Sequence, residues 1–227
     1  MIPLSDTRGS GKFPFWVVVI IAVNAYVFFL ELRSPNPDLF IQQYALIPSQ
    51  VDFNRLSTLY PFITSQFLHA GFLHIISNMW FLWIFGDNVE ERFGFFLFPL
   101  LYLLSGIVGG LAQYMSLPDS STPMLGASGA IAGTLGAYFA LFSRHTIKTL
   151  VPIFGFFTIA DLPASLILVY WFITQLFSGA ASISNTSYQL GGVAYFAHIG
   201  GFVLGYVAAK LIGPKSPPIL EPLDQPS

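Results

Sequence analysis

The sequence predicts an all-α membrane protein built as a bundle of six transmembrane helices. The chain of 227 residues is 54% hydrophobic and only 9% charged, whereas soluble domains carry about 25% charged residues. Its apolar runs are nearly continuous and close to the roughly 20 residues that a helix needs to cross a bilayer. Strands of a membrane barrel are shorter and alternate polar with apolar residues, so helical spans are expected.

Six apolar segments account for the predicted spans. They cover residues 14–32, 71–86, 95–115, 126–142, 163–178 and 194–212. Gly86-Asp87 is typical of a helix end, and Asp161 followed by Pro163 is typical of a helix beginning. Residues 149–159 are apolar but too few for a helix to cross a core of roughly 30 Å, so this piece is expected at the membrane interface.

The remaining residues divide into a short leading segment, one long loop and a tail. Residues 1–13 are predicted to be a cytoplasmic N-terminal segment, and residues 14–212 a single membrane domain. The loop 33–69 holds enough aromatic and aliphatic side chains to fold against the bundle or dip into the interface. Residues 213–227 are rich in proline and are expected to be disordered.

Positive charges predict the orientation. With the N-terminus in the cytoplasm, Lys and Arg residues are concentrated on the cytoplasmic side, as the positive-inside rule expects. The cytoplasmic set is Arg8, Lys12, Arg92, Arg144, Lys148, Lys210 and Lys215, and the outer set is Arg33 and Arg55. A seventh span over residues 149–159 would move Lys210 and Lys215 to the outer side, so the charges favour six spans with both termini in the cytoplasm.

Composition also excludes several function classes. The net charge of −2 gives no indication of nucleic-acid binding, and the lack of cysteine excludes disulfides and thiol catalysis. The His-Glu-x-x-His motif of zinc proteases is missing. An aspartyl dyad would need two Asp residues inside spans, whereas Asp87 and Asp161 both lie at the predicted cytoplasmic boundary. No metal or other cofactor is expected.

Four polar residues are predicted at one depth in the outer part of the bilayer. Spans two, four and six all enter from the outer side, and His74, Asn78, Ser128 and His198 each lie near the beginning of one of them. Polar groups inside a membrane usually face the protein interior and mark function. Small residues at four-residue spacing along spans four and six would let these two helices approach closely, which would bring Ser128 near His198.

This set of residues has the chemistry of a serine hydrolase. A serine hydroxyl becomes an effective nucleophile when a neighbouring base removes its proton, and His198 could be that base. His74, Asn78 and the Ser128 backbone amide could donate hydrogen bonds to an oxyanion. No acidic residue is expected in the outer half of any span, so a Ser–His dyad without a buried acid is predicted.

Other interpretations account for parts of the pattern. A Gly-Ala-Ser-Gly run can serve helix packing alone, and an intramembrane histidine can belong to a proton path or a metal site. A transporter would carry polar residues along the whole depth of the bundle, but the inner halves of the spans have few. Residues 179–193 could form a mobile cap over the site or a simple connector, and Trp171 with Phe172 could form a side gate.

At these residues the chain resembles the rhomboid family of intramembrane serine proteases. The resemblance rests on His69 with His74-x-x-x-Asn78, Gly86-Asp87-Asn88-Val89-Glu90, Gly126-Ala127-Ser128-Gly129 and Ala197-His198-Ile199-Gly200-Gly201. It implies a six-helix core with a water-filled active site open to the outside. Ser128 would be the nucleophile, His198 the base, and His74, Asn78 and the Ser128 amide the oxyanion hole. The substrates would be transmembrane helices, cut near their outer ends within the lipid bilayer.

The sequence departs from some family members at one position that concerns the histidine. Where those members carry a tyrosine that packs on the catalytic histidine, this chain has Ala132. Tyr138, Tyr195 and Gln113 are the candidates for orienting His198 instead. The alternative function is a non-catalytic rhomboid-like protein that binds or escorts membrane proteins, which would be expected to lose the serine or the histidine. Without appended domains or a targeting presequence, a bacterial inner membrane is expected.

Overall fold

A computed structural model describes residues 1–153, 155–184 and 193–213. The disordered tail predicted for 213–227 and most of the predicted cap at 179–193 therefore lie outside the described residues. The longer helices and the strands are β1 (Ile2–Asp6), α1 (Phe15–Arg33), α2 (Pro37–Tyr44), α3 (Pro61–Thr64), α4 (Phe72–Ser116), α5 (Ser128–Phe142), β2 (Thr146–Ile153), β3 (Phe156–Pro163), α6 (Ala164–Ser184) and α7 (Tyr195–Ile212). Short 3₁₀ turns at Pro48–Gln50, Leu56–Thr58 and Ser65–Phe67 fold the loop between α1 and α4.

Helices occupy all six predicted apolar segments, and the second and third are joined. α4 covers both, with a single break in its helical backbone at Gly94, where φ is 79° and ψ is 179°. The predicted helix end at Gly86 was wrong, because residues 87–93 continue the helix. A left-handed φ strains residues with a side chain but suits glycine, which is why the break can occur at Gly94.

Within the described residues, four helices are long and apolar enough to cross a membrane. They are Phe15–Arg33, Phe72–Ser116, Ala164–Ile183 and Tyr195–Ile212, whereas the apolar helix Ser128–Phe142 is shorter. Because Phe72–Ser116 contains the break at Gly94, it has room for two of the predicted spans. The architecture is therefore mostly helical with several membrane-spanning candidates.

A three-stranded antiparallel sheet corrects the expectation of an all-α protein. β2 lies between β1 and β3, with Thr149 opposite Pro3 on one side and Ala160 on the other. The segment 149–159, predicted only as an interfacial piece, belongs to the β2–β3 hairpin, and the leading segment 1–13 supplies the third strand. β-branched and aromatic residues, common in these segments, favour strands.

Close packing of α4, α5 and α7 forms the centre of the bundle. A side chain at Gly205 of α7 would overlap the backbone oxygen of Gly133 in α5, and one at Gly201 would overlap that of Gly129. A side chain at Gly109 of α4 would lie 2.5 Å from the carbonyl oxygen of Ala197. The helix backbones thus touch where small residues were predicted to allow it.

The bundle end opposite to Ser128 is held by a polar network. Tyr138, near the end of α5, donates a hydrogen bond to Asp6 of β1, and Asn88 Nδ2 donates to the same carboxylate over 2.8 Å. His145 Nδ1 lies 3.5 Å from Asp6. These contacts fix the sheet to the helices, so the N-terminal segment is an integral part of the domain.

Glu90 caps the beginning of α1. Its two carboxylate oxygens accept hydrogen bonds from the backbone amides of Trp16 and Val17, each over 2.9 Å. The helix has no side-chain cap of its own at Pro14, and the first amides of a helix lack partners within the helix. A buried carboxylate from α4 therefore ties α1 to the rest of the bundle.

Replacing Glu90 with alanine is expected to lower the free energy of unfolding by about 1.5–3 kcal/mol, the contribution of hydrogen bonds to a charged group. Glu90→Gln keeps a single carbonyl oxygen and should lose a smaller amount. Thermal unfolding in detergent, followed by circular dichroism, measures both changes. An alanine variant as stable as the original protein would contradict the capping role.

Candidate active site

Ser128 is the first residue of α5, and a glycine before it makes room for the site. Gly126 has a φ of 122°, which residues with side chains rarely adopt. A Cβ at this position would lie 2.7 Å from His74 Nε2. The Gly126 amide donates to Ser65 O over 2.9 Å, which fixes the turn. The sequence Gly-Ala-Ser thus delivers Ser128 to a helix N-terminus, where the first amides are free of intrahelical partners.

Ser128 and His198 are hydrogen-bonded to each other. Ser128 Oγ lies 2.7 Å from His198 Nε2. His198 is in the first turn of α7 and is only 9% exposed. The contact follows from the close approach of α5 and α7 at their first turns, where a side chain at Gly201 would overlap Gly129.

His74 and Asn78 lie in the same cavity as the serine and the histidine. The cavity measures about 440 Å³ and is lined by all four residues, together with apolar side chains from α4, α5 and α6, namely Phe81, Ile131, Leu135 and Trp171. Ala70 N–H donates to His74 Nδ1 over 3.4 Å, so a neutral His74 ring carries its proton on Nε2. Asn78 is buried, and its Nδ2 has no hydrogen-bond partner among the described residues.

A second histidine, His69, packs against the ring of His74. His69 is almost completely buried, and its ring lies 5.1 Å from that of His74. Burial, and to a lesser extent the nearby His74, lowers the pKa of His69 to about 4. The ring is therefore neutral at physiological pH. Its backbone amide donates to a carboxylate oxygen of Glu31 over 3.1 Å.

Glu31 also corrects the expectation that no acidic residue lies in the outer half of a span. It occupies the last turns of α1 and is buried, 4% exposed. Its hydrogen bond goes to the loop before α4 rather than to His198. Glu31 therefore holds the loop that carries His69, and the histidine of the Ser–His pair has no carboxylate partner among the described residues.

Gln175 contacts the other side of the His198 ring, and it was not among the residues predicted for this role. Gln175 Oε1 lies 2.7 Å from His198 Nδ1, and the Trp171 ring lies 5.7 Å from the imidazole at an interplanar angle of 34°. The three candidates for this role were wrong. Tyr138 lies at the opposite end of α5 with Asp6, Gln113 accepts from Phe196 N–H over 3.2 Å, and no bond joins Tyr195 to His198 in the described structure.

A signal for Gln175 was present in the sequence. An amide side chain in the second half of span five shares the depth of Ser128 and His198, and it lies four residues after Trp171, on the same helix face. Trp171 and Phe172, considered as a side gate, both pack inward. Phe172 stacks on Phe202 of α7 with ring centroids 4.5 Å apart, and Trp171 lines the cavity.

The geometry provides a hydroxyl with an adjacent base and, in the same cavity, the two side-chain donors His74 and Asn78. That is the arrangement of nucleophilic acyl transfer, in which donors must point to the position where negative charge develops. In the described parts of the chain, no cluster of three His, Cys, Asp or Glu side chains could hold a metal ion.

The sequence of this chain is similar to a family model and to several known proteins. The family model of the rhomboid domain matches residues 56–215, which include all four residues of the cavity discussed above. The chain is 33% identical over 217 residues to Rhomboid protease GluP of Bacillus subtilis, a match that covers 91% of this chain and 36% of that protein. With Rhomboid-like protein 11, chloroplastic, of Arabidopsis thaliana it shares 30% over 204 residues, 87% of this chain and 64% of the relative.

A third relative comes from yeast. The chain is 31% identical over 194 residues to Rhomboid protein 1, mitochondrial, of Saccharomyces cerevisiae, with 83% of this chain and 51% of the relative covered. The chain thus spans between 36% and 64% of the length of these three proteins. The names of two of these relatives place them in a mitochondrion and a chloroplast, and the third comes from a bacterium, so similarity selects no single compartment. With the domain match covering most of its length, the chain belongs to the rhomboid family of integral membrane proteins.

Proposed function

We propose that this protein is an intramembrane serine endopeptidase that hydrolyses peptide bonds in or near the transmembrane helices of other membrane proteins. The observation that carries the proposal is the 2.7 Å contact between Ser128 Oγ and His198 Nε2. It lies in a cavity that also contains His74 and Asn78. Membership of a family that includes a protein named a protease supports the same activity.

The first proposed step is acylation of Ser128. His198 Nε2 takes the hydroxyl proton while Oγ forms a bond to the scissile carbonyl carbon. The resulting imidazolium then gives that proton to the amine leaving group as the peptide bond breaks. Water, activated by the same nitrogen, hydrolyses the ester and regenerates the serine, so atoms and protons balance without a cofactor.

The oxyanion of each tetrahedral intermediate needs donors, and three are proposed. His74 Nε2–H is available because Nδ1 is occupied by the Ala70 amide. Asn78 Nδ2 lacks a partner among the described residues, so it can donate to an oxyanion without breaking another hydrogen bond. The Ser128 backbone amide at the beginning of α5 is the third. Fixed donors of this kind stabilise the transition state because they need no reorganisation.

The proposal includes a membrane topology. Six spans would cross the bilayer within a membrane domain over residues 14–212, with both termini in the cytoplasm and the cavity toward the outer side. The bias of Lys and Arg supports this orientation. The partners would be the lipid bilayer and transmembrane substrates, without nucleic acid or metal. The bacterial inner membrane stays a prediction from sequence.

The proposal is tested with purified protein in liposomes that contain a labelled single-span substrate. Cleavage products are mapped by mass spectrometry, and a fluorophosphonate probe is added in parallel. We expect a cut near the outer end of the substrate helix and covalent labelling at Ser128. A protein that binds the substrate without cutting it and resists the probe would point to the non-catalytic escort function instead.

Removing an oxyanion donor should slow the chemical step without weakening substrate binding. Asn78→Ala is expected to lower kcat by about 10²–10³-fold with little change in KM, the usual effect of losing one such donor. Asn78→Asp keeps the shape but replaces the donor with an acceptor, so it should be at least as damaging. Steady-state cleavage rates over a range of substrate densities measure both constants. Asn54→Ala, in an exposed loop, is the control, and a wild-type kcat in Asn78→Ala would exclude Asn78 from the oxyanion hole.

A further inference from the structure

We propose that Gln175 is the positioning residue of His198: its side-chain carbonyl fixes the tautomer and the direction of the imidazole. The inference rests on the proposed function and adds a third member to the Ser–His pair. Its basis is the 2.7 Å contact between Gln175 Oε1 and His198 Nδ1. Both side chains are buried, with 8% and 9% of their surfaces exposed.

Neighbouring groups determine which end of the Gln175 amide faces the histidine. Thr174 Oγ1 donates its proton to Trp171 O over 2.6 Å, so this hydroxyl can only accept from Gln175. Gln175 Nε2 lies 3.1 Å from Thr174 Oγ1 and 3.2 Å from Trp171 O. Both are acceptors, and they match the two N–H donors of the amide group. The amide nitrogen is therefore satisfied within α6, and the carbonyl oxygen is the end that faces His198.

An acceptor at Nδ1 dictates the protonation of the imidazole. A carbonyl oxygen cannot donate, so Nδ1 must carry a hydrogen to form this bond. In the neutral ring, the lone pair then lies on Nε2, which is the nitrogen next to Ser128 Oγ. The opposite tautomer would place a proton on Nε2 and leave the serine without a base. Gln175 thus selects the form of His198 that can remove the serine proton.

Trp171 packs on the face of the His198 ring and helps to hold it in position. Its indole lies at 5.7 Å and 34° to the imidazole, and it is four residues before Gln175 on the same face of α6. Ala132 stands where some family members carry a tyrosine that packs on the histidine, and its methyl group is too small to do this. One helix therefore supplies both the edge contact and the face contact of His198.

An amide suits this site better than a carboxylate would. α6 is strongly apolar, and an ionised group buried there would be costly unless it were fully paired. A neutral carbonyl orients the ring at lower cost but stabilises the imidazolium less than an anion. The other titratable side chain that lines the cavity is His74, so the described cavity lining contains no anion that could take over this role.

Two substitutions at one position test the inference. Gln175→Leu removes the acceptor and should lower kcat by roughly 10–100-fold, as other losses of such supporting contacts do, with KM unchanged. Fluorophosphonate labelling should slow by the same factor. Gln175→Glu restores an acceptor, so it should recover most of the lost rate. Because an anion favours the imidazolium, the acidic limb of its kcat/KM profile should move to higher pH.

A direct measurement of the tautomer does not depend on activity. In protein with ¹⁵N-labelled histidine, the His198 signals are assigned by their loss in His198→Ala. Nitrogen chemical shifts should report a protonated Nδ1 and an unprotonated Nε2 in the original protein, and a mixture of tautomers in Gln175→Leu. Ser182→Ala, which removes a buried hydroxyl bonded to Gly179 O on the same helix, is the control and should leave rate, profile and shifts unchanged.

The outcomes separate the two proposals. An unaltered rate or tautomer in Gln175→Leu would overturn the positioning role, as would equal losses in the Leu and Glu variants with an unshifted pH profile. Lack of cleavage and labelling in the unmutated protein would overturn the proposed function instead. The nitrogen shifts would still report the effect of Gln175 on His198 in that case.

Discussion

Ser128→Ala is expected to abolish measurable substrate cleavage and fluorophosphonate labelling. The variant removes the only proposed nucleophile, and in serine proteases the loss of that group alone costs on the order of 10⁶ in kcat. Oxyanion donors and binding contacts persist, so substrate association should be nearly unchanged. Cleavage in liposomes and co-purification of the substrate with the variant measure these two effects separately.

The control for Ser128→Ala is the loss of a serine that does not line the cavity. Ser116 donates to Ala112 O over 2.8 Å at the end of α4, an ordinary bond within a helix. Ser116→Ala should therefore keep full activity, and both variants should unfold at the same temperature as the original protein. Cleavage that persists in a folded Ser128→Ala protein would refute the serine mechanism.

His198→Ala should be nearly as damaging, and the two losses should not add. A nucleophile and its base act as one unit, so removing the second member after the first has little further effect. The double variant Ser128→Ala/His198→Ala is expected to match either single variant. Multiplied losses in the double variant would mean that the two residues act independently, contrary to the 2.7 Å contact between them.

The meeting of His74, Asn78, Ser128 and His198 could be predicted because a membrane restricts the fold so strongly. If the six predicted spans alternate in direction, spans two, four and six begin on one side, and small residues bring α5 and α7 together. Depth and helix face then follow from residue number. The same rules located the helical segments, since continuous apolar runs are the strongest signal in a sequence.

The strands and the contacts of His198 could not be predicted in the same way. The hairpin of β2 and β3 is too short and too apolar to be distinguished from a buried helix by periodicity. The pairing of β1 with β2 joins residues that are between 141 (Asp6 with Ile147) and 148 (Ile2 with Leu150) positions apart. The sequence positions of Gln175 and Glu31 indicate their depth in α6 and α1, but the groups that each side chain contacts depend on the rotation of these helices about their axes. That rotation is determined by packing against neighbours, which the order of residues does not reveal.

Gly205→Ala is the substitution outside the cavity with the largest expected effect. The added methyl group would overlap the carbonyl of Gly133, which belongs to the backbone of α5 and cannot turn away as a side chain could. α5 and α7 must then separate, at a cost at or above the upper end of the about 1–3 kcal/mol typical of overpacked cores. Ser128 and His198 lie on these two helices, so their 2.7 Å contact should be lost.

This effect is measured by thermal unfolding in detergent and by the labelling rate of Ser128 at a temperature where the variant is still folded. Gly179→Ala is the matched control in α6, because a Cβ there would meet its nearest neighbours at an ordinary 3.5 Å. We expect the control to keep its stability and labelling rate, while Gly205→Ala loses both. Normal labelling of Gly205→Ala would show that the reactivity of Ser128 does not depend on close contact between α5 and α7. It would contradict the inference that glycine packing sets the Ser–His geometry.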